Sequence, residues 1–96
     1  MDARIRLRHG DVPAELYQKL KSLIFKLYAT GKEKELRDMF DNSWGSKRAL
    51  SPVSAMHLER EGLLQKNGTL SLEAKIVLKS VLHVKEGQLR LSESHT

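Results

Sequence analysis

Cysteine is absent from this chain, which excludes a disulfide framework and any thiolate metal site and fits a reducing compartment. Aromatic residues make up only 5%, so Leu, Ile and Val must fill most of any core. No apolar run approaches the roughly 20 residues that a membrane-spanning helix needs. The N-terminal Met1-Asp-Ala-Arg-Ile-Arg-Leu-Arg8 has the charge of a signal-peptide start but no apolar segment behind it. The expectation is a soluble, cytoplasmic protein without a membrane partner.

Motifs for chemistry are missing as well. The glycines are dispersed as punctuation, so no phosphate-binding loop forms. His9, His57, His83 and His95 lack metal-ligand spacing, and His57-Leu-Glu-Arg-Glu has no second histidine to complete a zinc-protease pattern. Ser54 and His57 stand three apart, but no third group orients the imidazole and no oxyanion loop follows. No enzyme, cofactor or metal is expected.

What is present suits one small basic domain. The chain has 96 residues, 40% of them hydrophobic and 30% charged, enough for a single core. Seventeen Lys and Arg against twelve Asp and Glu give a net charge of +5, which favours an anionic partner. Residues 3 to 9 alternate, with Ile5 and Leu7 on one side and Arg4, Arg6 and Arg8 on the other. They read as a short strand or a disordered basic tail, ended by Gly10-Asp11. A first helix is expected from about Pro13 to Thr30, with Leu16, Leu20, Leu23, Ile24 and Leu27 as its apolar stripe. Tyr17, Phe25 and Tyr28 widen that stripe, and Gly31 ends the helix.

A second helix is expected from Lys32 or Glu33 to about Asp41, buried through Leu36, Met39 and Phe40, with Trp44 as a possible extension. Its mixed charges suggest i,i+4 pairs such as Lys34 with Asp38. The third helix has the clearest start, Ser51 at the N-cap and Pro52 behind it, and Gly62 stops it. Leu63-Leu64-Gln65 and Thr69-Leu70 then read as arms of a small hairpin around Asn67-Gly68, a pair favoured in type I′ turns. Ser71 caps a fourth helix whose apolar side is Leu72, Ile76, Val77, Val81 and Leu82, and Gly87 closes that region. Gln88 to Ser92 alternates again, and Glu93 to Thr96 read as a frayed tail. The two end strands would pair with each other or across a homodimer. The fold class expected is α+β, mostly helical, with about four helices, short terminal strands and a small hairpin.

The run His57-Leu-Glu-Arg-Glu-Gly-Leu-Leu64 resembles the end of the recognition helix in winged helix-turn-helix regulators of the MarR and ArsR kind. In those families a charged turn is followed by Gly-Leu-Leu or Gly-Leu-Ile entering the wing, and Gly62, Leu63 and Leu64 match those positions. The resemblance covers Ser51 to Leu70. It implies a winged-helix-like scaffold and a transcriptional regulator that binds double-stranded DNA. The third helix would then enter the major groove, with Ser54 and His57 exposed to the bases. Lys47, Arg48 and the helix N-terminus at Ser51 would hold phosphates, Lys66 and Asn67 would form the wing contact, and Arg4, Arg6 and Arg8 would act as a basic arm. The competing expectation is a non-enzymatic protein-protein interaction module, such as a dimeric adaptor, inhibitor or effector, with Phe25 and Tyr28 as its interface.

Overall fold

The structure, a computed structural model, describes residues 3–92. The tail expected from Glu93 to Thr96, with His95, lies outside them. The chain forms β1 (Arg4–Leu7), β2 (Gly10–Pro13), α1 (Ala14–Ala29), α2 (Glu33–Ser43), α3 (Pro52–Arg60), α4 (Leu72–Val81), β3 (Leu82–Lys85) and β4 (Gln88–Leu91). The fold is α+β, with two antiparallel two-stranded sheets at the ends of a helical core.

The terminal strands differ from expectation in their partners. β1 pairs with β2, from Arg4 opposite Pro13 to Leu7 opposite Gly10, and β3 pairs with β4. Among the described residues, neither sheet joins β1 to β4. Local closure explains this: Arg8-His9 and Glu86-Gly87 each leave only two residues between arms, which is the shortest hairpin loop. Glu86 and Gly87 both have positive φ, 53° and 78°, as a type I′ turn requires. Gly10 continues the first hairpin instead of ending a strand. Its φ of +148° and the 2.9 Å between an added Cβ and Ile76 Cδ1 explain why glycine stands there.

Helix boundaries follow local chemistry. α3 and α4 start where Ser51 and Ser71 accept the backbone N–H groups of Ser54 and Ala74, at 3.2 and 3.1 Å. α1 starts without a side-chain cap, its N-cap being Pro13 at the end of β2. α4 is shorter than expected, because Leu82 already adopts extended backbone and opens β3. After α3, a single bridge joins Leu64 to Leu70. Its turn lies one residue earlier than expected: Gly68 N–H donates to Gln65 O at 2.9 Å, so Lys66 and Asn67 are the central residues. Gly68 alone there has positive φ, which makes the loop a turn with a glycine bulge and not a type I′ pair.

α4 forms the centre. It packs on α1, α2 and both strands of the first hairpin and buries Ala74, Val77, Leu78 and Val81. α1 contributes Tyr17, Leu20, Leu23, Ile24 and Leu27, and α2 contributes Leu36, Met39 and Phe40. Tyr28 packs partly buried against this core, whereas Phe25 stays exposed. No helix among the described residues is long and apolar enough to cross a membrane.

Candidate functional site

Two places on the surface gather the candidate residues. The first is the N-terminal end of α3. Ser54, expected to face the solvent, is fully buried there. Its hydroxyl donates to Glu35 O at 3.4 Å and accepts from Ser51 Oγ at 3.0 Å. Ser54 therefore ties α3 to α2 and does not face the solvent as expected. The phosphate role expected at Ser51 meets a second obstacle. Asp38 Oδ2 accepts the Ser51 N–H at 2.9 Å, so a carboxylate already occupies the positive end of the helix. Asp38 serves this bond, and the i,i+4 ion pair on α2 is Arg37–Asp41 at 3.2 Å, not Lys34 with Asp38.

The outward face of α3 is apolar and mixed in charge. Val53 and Met56, three residues apart, keep 46% and 41% of their surface exposed, and Glu59 and Arg60 lie beyond them. Val53 borders a shallow hollow with Lys34, Glu35, Asp38 and Ser51. His57 is half-buried. Lys66 and Asn67 are exposed on the following turn, where Asn67 Oδ1 accepts from Thr69 N and Oγ1 at 3.1 and 2.6 Å. Lys66 shares its hollow with Glu59.

The second place is the corner where the turn of the first hairpin meets the end of α2. Trp44, the chain's one tryptophan, is the C-cap residue of α2 and keeps 54% of its surface exposed. Its backbone N–H donates to Phe40 O and Asp41 O, and Gly45, with φ +92°, turns the chain away. The His9 ring meets the indole edge-on, 5.4 Å between centroids at 90°, and Phe40 lies 6.4 Å away at 69°. Lys79 Nζ of α4 stands 4.7 Å from the indole centroid, a cation–π contact worth about 0.5–1 kcal/mol at an exposed site. The hairpin turn is fixed to α4 by the His9 N–H, which donates to the buried Ser80 Oγ at 3.2 Å.

Charge at this corner is positive. Partial burial first, then the Lys79 and Arg8 charges, hold the His9 imidazole below its ordinary pKa, which favours the neutral ring. Lys47 and Arg48 follow Trp44 in an exposed loop. Lys47 is three residues away, so its Cα is within about 11 Å of that of Trp44. The loop is held in shape, because Asn42 Nδ2 donates to Arg48 O at 2.8 Å and Ser46 N–H donates to Asp41 O at 3.1 Å. Of the basic residues expected to form an arm, Arg8 alone belongs to this corner. Arg4 pairs with Glu73 of α4 at 3.3 Å, and Arg6 pairs with Asp11 across the hairpin at 3.5 Å.

Sequence reasoning missed Trp44, His9 and Lys79 as a group. Trp44 reads as an extension of the buried face of α2, and the other two lie far from it in the chain. The available signal was Gly45, which ends α2 and so places Trp44 at the helix end. Comparison of the chain with protein-family models, curated proteins and solved structures finds no match.

Proposed function

We propose that this protein is a non-enzymatic nucleic-acid-binding module and that it binds through the Trp44 corner, not through α3. The observation that carries this reading is the exposed indole held between His9 and Phe40, with Lys79 over its ring. Lys47 and Arg48 on the anchored loop and Arg8 beside His9 add cations suited to phosphates. The net charge of +5 supports an anionic partner in general. The winged-helix resemblance stays part of the proposal as a scaffold for regulation, with the contact moved away from the helix that such proteins insert into DNA.

The test is a fluorescence-anisotropy titration of labelled nucleic acid at low and moderate salt. Binding that weakens steeply with salt is expected. The Lys47→Ala, Arg48→Ala double variant should bind more weakly at every sequence, with a log–log salt slope lower by about 1.5–2. An unchanged slope would remove the loop from the interface.

A second reading rests on Val53 and Met56, which expose an apolar strip on α3. As a protein-binding face it would dock a helix or a second copy of the chain, and Phe25 on α1 remains accessible as a separate contact. Replacing Val53 and Met56 with lysine should then abolish association measured by sedimentation. Unchanged sedimentation would exclude that face.

A further inference from the structure

Resting on the reading of the Trp44 corner as a nucleic-acid site, we propose that its ligand is single-stranded and that Trp44 is the platform on which an unpaired base stacks. Bases in a duplex are already stacked on each other, so an exposed aromatic ring gains nothing from them. Unpaired bases offer a free π-face, and single-strand binders combine such rings with cations that follow the backbone.

The corner has both components. Trp44 is a large apolar ring left 54% exposed, yet its position is fixed by two backbone hydrogen bonds and by contacts with His9 and Phe40. A ring held in this way loses little freedom when a base settles on it. Lys79 of α4 lies over it, and the exposed Arg8, next to His9, and Lys47 and Arg48, three and four residues beyond Trp44, stand on the elements around it. A base stacked on the indole therefore has cations from three elements for its flanking phosphates. Nothing comparable serves a major groove: the exposed start of α3 is Pro52, Val53 and Met56, and Asp38 holds its N-terminus. Charge complementarity and the aromatic platform together select a strand with accessible bases over a duplex or a base-free polyanion.

Because Trp44 is the only tryptophan, intrinsic fluorescence reports this corner alone. The full chain would be titrated with a thymidine oligonucleotide, a duplex of the same length and heparin. Fluorescence and anisotropy would be read together, with far-UV circular dichroism as the folding control for variants. The single strand should bind tightest and strongly quench the indole, while heparin binds without comparable quenching. Trp44→Ala should weaken single-strand binding about ten- to a hundredfold, and Trp44→Phe should restore most of it. Equal affinity for duplex and single strand with Trp44→Ala unaffected would overturn the stacking inference and leave the nucleic-acid reading standing. Equal quenching by heparin would overturn it too, since charge alone would then explain the signal. If none of the three polyanions bound at low salt, the nucleic-acid reading would fall, and this inference with it.

Discussion

The start of α3 and the Trp44 corner carry similar kinds of residue, hydroxyls, an imidazole and basic side chains, but use them differently. At α3 the polar groups turn inward. Ser51 caps, Ser54 bridges to Glu35 O, and Asp38 closes the helix end, so its hydrogen-bonding capacity serves the packing of α3 on α2. At the corner the hydrogen bonds of Asn42 and Ser80 fix only backbone, leaving the side chains of Trp44, Lys47, Arg48 and Arg8 directed to solvent. Residue type does not separate the two regions; what each side chain has left to offer does.

The largest effect expected from breaking this comparison is on binding. Reversing Lys47 and Arg48 to Glu should lower nucleic-acid affinity on the order of a hundredfold at low salt, while Lys66→Glu on the α3 side should cost only a few-fold. Equal losses in an anisotropy titration would erase the distinction between the regions. Next comes stability at α3. Ser54→Ala should cost about 1 kcal/mol in urea unfolding, since it leaves its partners unsatisfied, with nucleic-acid affinity unchanged. A change in sequence preference instead would restore Ser54 as a reader. Gly10→Ala should destabilise by about 1–2 kcal/mol, because its φ of +148° disfavours a side chain and Ile76 stands behind it.

The smallest effect concerns pH. The folded-state pKa of His9 lies below its ordinary value of 6.5, so the unfolded chain takes up this proton first as pH falls. The His9 contribution to stability is therefore present above that value and is lost below it. A bound phosphate favours the imidazolium, so affinity should rise a few-fold between about pH 7.5 and about pH 5.5. His9→Gln should flatten that rise. A profile identical in the variant would exclude His9 as the titrating group.

The legible parts of the fold were those set by local chemistry. The Ser51 and Ser71 caps, the α1 stripe and the Gly31 and Gly62 stops all depend on residues within one turn of each other. β1 and β4 showed in the alternation of residues 3 to 9 and of Gln88 to Ser92, but β2 did not, because Gly10 and Pro13 look like breakers. β3 was hidden because Leu82 and Val84 continue the apolar character of α4. Of the candidate site, Lys47, Arg48 and Arg8 could be named from charge alone. The meeting of Trp44 with His9 and Lys79 depends on tertiary packing of α4 against the first hairpin and α2, which no local pattern encodes.

The most direct test is to map backbone amide shifts of the labelled protein by NMR during titration with a short single-stranded oligonucleotide. Binding at the corner predicts that the shifts concentrate at Arg8, His9, Trp44 to Arg48 and Lys79, with the Trp44 indole N–H among the largest. Shifts confined to Val53 to Arg60 and to Lys66 and Asn67 would contradict it and return the interface to α3 and its turn.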